Sequence, residues 1–289
     1  MLMHPRSPVA VFVLHWNQPE ACAETVARLK AQSMPTAITV IDNGSGPAQL
    51  SALRDRLGGV AAILALPTNR GWGAAFNVAL RDWLAGSGDY CVLSAHDALV
   101  SEDCLERLAG ALEVDATLGL VCPDYGDGAV LRYTRLRGLH ARTMSSKANG
   151  SLERMPSAHG TLVMYRRQCL QSCGLFDERF FAYGDEAEIG LRAGRYGWSS
   201  AMVWGARVVN PATSTPSAVV AYLTTRNNLL ITRLQSGAGW AWLRLCAKLA
   251  TGVRGQHGTW RHPRVWRARV MGLLDFAFGR FGPPPVERL

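Results

Sequence analysis

Three carboxylates stand close together in the segment Gly174–Trp198. Asp185, Glu186 and Glu188 follow an aromatic stretch, Phe180, Phe181 and Tyr183, and a glycine at Gly184. A carboxyl group beside apolar rings loses hydration, so its pKa rises and it accepts a proton better near neutral pH. That pattern is one way to build a general base. The same residues also describe the start of an amphipathic helix, with acids at the positive end of the dipole and Glu188 paired to Arg192 four residues on. The local sequence leaves both readings open. Four further polar clusters accompany the segment: His15–Gln18, Asp42–Ser45, Asn69–Gly73 and His96–Asp97.

Chemistry at these residues needs a frame to position it. Val9–Leu14 reads as a fully apolar strand, and Glu20–Gln32 as a helix with Ala23, Val26, Ala27 and Leu29 on its apolar side. Ala37–Ile41 is the next strand, ending in the turn Asp42-Asn43-Gly44-Ser45-Gly46. A helix follows to Leu57, then a strand over Val60–Leu66. Trp72–Leu84 is helical, with Phe76, Ala79, Leu80 and Trp83 at i, i+3, i+4 and i+7. Tyr90–Ser94 reads as a strand and Glu102–Leu112 as a helix. This alternation predicts an α/β fold with a mostly parallel, doubly wound sheet. Ligands bind such sheets beyond the C-terminal strand ends, where the four polar clusters fall. The basic stretch Tyr125–Ser157 suits a hairpin or an acceptor-side loop. Gly160–Tyr165 and Ala201–Val209 read as strands, Arg167–Cys173 as a short helix. Helical stretches near Ala218–Gln235, Trp240–Val253 and Arg264–Phe281 close the chain.

A chain of 289 residues suffices for one large domain, or one with an appendage. Its seven cysteines are scattered and form no CxxC pair, which suggests a reduced, cytoplasmic setting. No apolar run reaches the roughly 18 residues of a membrane span. Arg6 precedes the apolar run Val9–Leu14, but His15-Trp16-Asn17-Gln18 interrupts it, so it reads as a first strand and not as a leader. The net charge of +9 is uneven: residues 218–289 hold eleven Arg and Lys against only Asp275 and Glu287. Trp240, Trp242, Trp260, Trp266, Phe276, Phe278 and Phe281 interleave with them. Such a tail suits peripheral contact with an anionic membrane surface; the plainer alternative is a solvated helical face with its aromatics turned inward. Nucleic-acid binding is set aside, because no recognised module appears.

Taken in order, VLHWNQPE, VIDNGSG, NRGWGAAFN, LSAHDALVSED, GTLVMYRR, GLFDERFFAYGDEAEIGLR and YLTTRNNLL resemble the family 2 glycosyltransferases of the GT-A fold, and within them the rhamnosyltransferase-like branch. The resemblance runs from Val9 to about Leu230 and implies a Rossmann-like GT-A domain over residues 1–217, with helices of 218–289 packed on it. It implies a nucleotide-diphosphate donor, a dTDP- or UDP-sugar with a rhamnose-like sugar favoured, and inversion at the anomeric carbon. Asp42 then contacts the nucleobase, with Asn43 and Ser45 shaping the turn and Asn17 bordering the nucleotide. Asn69, Gly71 and Asn77 belong to the loop that closes on the nucleotide. Glycines there let the backbone approach the ligand, and an adjoining helix N-terminus favours the diphosphate.

The resemblance also implies a Mg²⁺ or Mn²⁺ site. Where relatives carry Asn-Pro-Asp or Asp-x-Asp, this chain has Ala95-His96-Asp97, so Asp97 is the implied ligand with His96 beside it. Asn210 stands where many relatives place a metal-binding histidine. The acidic signature, commonly Glu-Asp-x-Asp, is here Asp185-Glu186-Ala187-Glu188, which makes Glu186 the implied base with Asp185 next to it. Glu188 orients the loop or pairs with Arg192. Arg226, with Asn227, matches a segment on the acceptor or phosphate side, whereas a helix-surface salt bridge is its plainer reading. The acceptor is a glycan, a lipid-linked glycan or a small-molecule glycoside; a homo-oligomer is compatible with all of this. The competing reading, motivated by Ala95 and Asn210, is a degenerate GT-A fold that binds a nucleotide sugar without turnover.

Overall fold

The computed structural model describes residues 7–126, 129–210, 215–250 and 263–289. Arg6, Trp260 and the expected helix end at Val253 lie outside them. The first half alternates as the sequence predicts: β1 (Val9–His15), α1 (Pro19–Lys30), β2 (Thr36–Asn43), α2 (Pro47–Leu57), β3 (Ala62–Leu66), α3 (Trp72–Ala85) and β4 (Tyr90–Ala95). The strand expected from Val60 begins two residues later. Gly58 and Gly59 take positive φ after α2, and Val60 closes that turn through a hydrogen bond from its N–H to Leu57 O.

The rest of the sheet is less regular. A two-residue strand β5 (Leu99–Val100), the helix α4 (Cys104–Val114) and β6 (Leu118–Asp124) come next. Sequence reading missed β5 and β6; β6 is buried along its whole length and so shows no alternation. The basic stretch forms a hairpin, β7 (Ala129–Thr134) with β8 (Gly138–Thr143), and a further strand β9 (Leu152–Met155) that joins the main sheet. Then come β10 (Leu162–Arg166), α5 (Arg167–Cys173), α6 (Asp185–Arg195) and β11 (Ser199–Val209).

The main sheet runs β3-β2-β1-β4-β10-β6-β11-β5, with β9 also on β11. Strands β3, β2, β1, β4, β6 and β11 share one direction, whereas β10, β9 and β5 run against it. Alternate residues of β1 face opposite layers. Val11 and Val13 pack with α1, α2 and α4 through Val26, Leu53 and Leu108. Phe12 and Leu14 pack with α3, α5 and α6 through Phe76, Leu170 and Ile189. The sheet is thus covered on both faces, which is what wholly apolar parallel strands require.

Three α-helices, α7 (Ser217–Ser236), α8 (Ala238–Ala250) and α9 (Pro263–Ala277), and a 3₁₀ turn at Val286–Arg288 close the described chain. Their shared core of Leu229, Leu230, Ile231, Ala241, Leu245, Leu273 and Phe276 takes in Phe180 and Ala187. The C-terminal helices therefore rest directly on the acidic segment. Helix α9 stops at Ala277, short of Phe281, because Gly279 and Gly282 take positive φ.

Candidate active site

The strand register brings the first two polar clusters together. His15 and Asp42 are Cα partners at the C-terminal ends of β1 and β2. Both are buried, and His15 Nδ1–H donates to Asp42 Oδ1 at 2.8 Å while Nε2 accepts from the Gln18 N–H at 3.1 Å. This pairing assigns the neutral tautomer. Burial pulls the His15 pKa below its ordinary value, against the opposing pull of Asp42. Asp42 Oδ2 accepts from the Ser45 N–H at 3.2 Å, so both its oxygens already have protein donors. Asn17, in the left-handed region at φ 55°, is exposed and stitches the two loops. Its N–H donates to Ser45 Oγ at 2.9 Å and its Oδ1 accepts from the Gly46 N–H at 2.9 Å.

The third cluster is a wound turn. Asn43 Nδ2 donates to Asn69 Oδ1 (3.0 Å) and Gly71 O (3.1 Å), and its Oδ1 accepts from the Arg70 N–H at 2.9 Å. Gly71 has φ 85°, and a Cβ there would lie 2.1 Å from Phe181 O. Only glycine lets this turn touch the acidic segment. Asn77 latches the same two pieces. Its Nδ2 donates to Phe176 O and Glu178 Oε1, both at 3.0 Å, and its Oδ1 accepts from the Phe176 N–H at 3.0 Å.

The N-terminus of α3 meets the acidic segment through its first two N–H groups. Trp72 N–H donates to Phe181 O at 2.5 Å, and Gly73 N–H donates to Asp185 Oδ2 at 2.9 Å. A carboxyl from the acidic segment thus sits at the positive end of this helix.

The acidic residues fall into three environments. Asp185 is buried, and its Oδ1 meets no protein donor. Burial, then the charge of the neighbouring Glu186, raise the Asp185 pKa well above the ordinary carboxyl range. Glu186 is partly exposed; its Oε2 accepts from the Gly184 N–H at 3.2 Å. A Cβ on Gly160 would lie 2.8 Å from Glu186 Oε1, so Gly160 leaves the room that this side chain fills. Glu188 is buried and accepts from Arg192 Nε (2.9 Å) and Nη2 (2.9 Å). Arg192 also donates to Cys173 O and Leu175 O, so Glu188 steadies the approach to the loop through its arginine. The Glu188–Arg192 pair matches the helix-start reading, and the raised carboxyl pKa beside apolar rings is found at the buried Asp185.

Antiparallel pairing of β10 with β4 sets Gly160 and Thr161 beside the fourth cluster: Ala95 N–H donates to Thr161 O at 2.8 Å. Asn210 Nδ2 donates to Thr161 Oγ1 at 3.1 Å, and the Thr161 N–H donates to Tyr125 OH at 3.0 Å. His96 turns Nδ1 to Leu14 O at 3.1 Å and keeps a buried Nε2 without a hydrogen-bond partner. Asp97 is partly exposed in the turn after β4. No group of three His, Cys, Asp or Glu that could hold a metal ion occurs among the described residues. The residues present therefore fit a hard cation only in a sparse mode. Asp97 could offer one carboxylate and Asn210 a carbonyl oxygen, and phosphate and water oxygens would have to supply the rest.

Arg226 is not the surface residue of its plainer reading. It is fully buried, donates to Phe180 O at 3.0 Å, and burial lowers its pKa. The sequence reading placed His15 in a polar cluster but gave no role to it individually, nor to Gly160, Tyr125 or Glu178. His15 could have been found as the last residue of a strand whose neighbour ends in Asp42. Glu178 could have been found as an acid set between the aromatics Phe176 and Phe180.

Residues 10–174, more than half of the chain, match the family described as glycosyl transferase family 2. No curated protein matches the sequence. Among solved structures, the mannosyltransferase PcManGT from Pyrobaculum calidifontis, in complex with GDP-Man and Mn²⁺, is 18% identical with a TM-score of 0.58, over 96% of this chain and 88% of that one. GalNAc-T7 with UDP, GalNAc and Mn²⁺ is 14% identical with a TM-score of 0.67; the match spans 94% of this chain and 56% of that one. The 1–349 structure of S. aureus TarS is 14% identical with a TM-score of 0.56, over 93% and 81%. At these identities the structures establish the GT-A fold. With the family match, the chain belongs to glycosyl transferase family 2 and is a glycosyltransferase that uses a nucleotide sugar.

Proposed function

We propose that the chain is an inverting glycosyltransferase in which Glu186 is the general base. The observation that supports this is the split of the acidic pair: Glu186 is partly exposed and lies against Gly160, while Asp185 is buried and raised in pKa. An acceptor hydroxyl gives its proton to Glu186 as its oxygen forms a bond to the anomeric carbon. The bond from that carbon to the diphosphate oxygen breaks, and its electron pair leaves with the nucleoside diphosphate. General base catalysis of this type contributes about 10²–10⁴-fold. Asp42, Asn43, Ser45, Asn17, Asn69, Gly71 and Asn77 shape the donor side, with His96 and Asp97 at the β4 end. A Mg²⁺ or Mn²⁺ ion on Asp97, with Asn210 nearby, would neutralise charge on the departing diphosphate. PcManGT and GalNAc-T7, both solved with Mn²⁺, support that choice. We place the donor among dTDP- and UDP-sugars of rhamnose type, and the acceptor among glycans, lipid-linked glycans and small glycosides. The test is release of nucleoside diphosphate from a panel of nucleotide sugars and acceptors. Full activity in Glu186→Gln overturns the base assignment; binding of the nucleotide without transfer, even with Mn²⁺, replaces the reading with a non-catalytic binder.

A second reading concerns residues 218–289, taken as a helical unit on a catalytic domain of residues 1–217. The outer side of α8 exposes Trp242, Leu243 and Leu249, and α9 exposes Trp266 and Leu274. Exposed aromatics in a basic tail favour peripheral docking on an anionic membrane. No described helix is long and apolar enough to cross one. Unchanged liposome association after removal of residues 240–289 would sink this reading.

A further inference from the structure

The loop between Phe180 and Gly184 has a backbone that needs external support. Phe181 and Tyr183 sit at φ 68° and 63°, in the left-handed region that side chains disfavour. Such a conformation persists only where the surroundings over-determine it. One side of that support is the donor turn, through Trp72 N–H on Phe181 O and Gly73 N–H on Asp185. The other side comes from α7. Asn227 Nδ2 faces Phe180 O (3.0 Å), Ala182 O (2.8 Å) and Tyr183 O (2.9 Å), so one amide gathers three carbonyls of the loop.

Arg226 holds that amide in place. Its Nε donates to Asn227 Oδ1 at 3.0 Å, its Nη2 to Phe180 O at 3.0 Å and its Nη1 to Gly282 O at 2.9 Å. Gly282 N–H in turn donates to Arg179 O at 2.9 Å. The guanidinium lies against the rings of Tyr222 and Phe281. Its charge is answered through Tyr222, whose OH accepts from Nη1 at 3.3 Å and donates to Asp275 Oδ2 at 2.7 Å. A lone buried arginine without such an answer would be unfavourable.

We propose that Arg226 and Asn227 are positioning residues for glycosyl transfer: by gathering the carbonyls of Phe180, Ala182 and Tyr183 they fix Glu186 relative to the donor turn. The C-terminal helices are then part of the catalytic machinery. The inference rests on the reading of Glu186 as base. A displacement of about 1 Å in a reacting group can cost about 10²-fold in rate.

The test uses the full chain with Asn227→Ala, Asn227→Asp and Arg226→Lys. Lysine keeps the charge but has one nitrogen where arginine spreads three over Asn227, Gly282 and Phe180, and Asn227→Asp keeps the shape but loses the donors. For each variant, kcat, donor KM, the pH profile and Tm are measured well below the melting point. The expected result is a 10- to 100-fold fall in kcat, with donor KM within about threefold and a shifted pH profile for kcat. A lowered Tm with kcat and pH profile unchanged overturns the proposal, because a merely structural brace does just that. If Arg226→Lys fails to fold, the two Asn227 variants decide. If Glu186→Gln is fully active while the Asn227 variants lose kcat, the base assignment falls and the loop positions another group. If the Asn227 variants keep kcat, the positioning role falls whatever Glu186 does.

Discussion

Replacing Asp185 by asparagine separates the duties of the two neighbouring carboxyls. In the folded chain Asp185 Oδ2 accepts the Gly73 N–H, Oδ1 is buried, and burial with the adjacent Glu186 charge raises the pKa. In the unfolded chain the group ionises near the usual value of about 3.9. A group whose pKa rises on folding takes up a proton as the chain folds. Its stabilising contribution is complete below the unfolded pKa and is lost as pH climbs towards the folded one. Each unit between the two values costs about 1.4 kcal/mol once pH has passed it. Asparagine keeps the acceptor for Gly73 and places an NH₂ where the acid carries its O–H, with no proton to take up. Asp185→Asn is therefore expected to melt at or above the wild type near neutral pH, with the difference closing towards about pH 4. Asp185→Ala instead strands the buried N–H of Gly73, a loss of about 1–3 kcal/mol. At roughly 2–4 °C per kcal/mol, that is a fall visible in any melting curve. The assay is thermal unfolding by circular dichroism between about pH 4 and 8 on all three proteins, with initial rates alongside. If Asp185→Asn loses as much stability near pH 8 as Asp185→Ala, Asp185 is not a neutral acid in the fold and the reasoning is refuted.

Gly160→Ala should move the Glu186 side chain and little else, because the added Cβ meets the flexible end of that residue; kcat should drop about tenfold with Tm nearly unchanged, by steady-state kinetics and calorimetry. Gly71→Ala meets the backbone of Phe181 at positive φ, so it should lower stability by about 2 kcal/mol or more and weaken nucleotide binding, by melting and calorimetric titration. The His15 pKa is lowered on folding, so its contribution is present above about 6.5 and is lost as pH falls below that. His15→Asn should flatten this part of the stability profile; an unchanged acid limb would show that His15 is not its source.

Much of the frame was legible because its strands are apolar runs bounded by turn residues, as with Val9–Leu14 and the Asp42–Gly46 turn. Element ends moved by two to four residues where glycines such as Gly58 and Gly279 set the chain's direction. Strand β6 was hidden because seven consecutive buried residues carry no period. In the site, residue types were readable but their partners were not. Nothing in the local sequence tells that Asp185 would meet Gly73, or that Asn227 would gather carbonyls 44 to 47 positions away. Contacts of that span depend on the packing of α3, α6 and α7, which no local pattern encodes. Arg226 shows the limit well: an arginine in a helix reads as a surface charge until the tertiary fold buries it.

The insertion of β10 between β4 and β6 has a consequence for how the chain is made. Strands β4 and β6 emerge in sequence, yet neither can pair with the other, since β10 lies between them and β11 flanks β6. During synthesis both therefore present open hydrogen-bonding edges until residue 166 and then residue 209 have left the ribosome. Open edges are templates for pairing with other chains. The nascent chain therefore carries at least one of these edges without its partner strand while the hairpin and the acidic segment are being made.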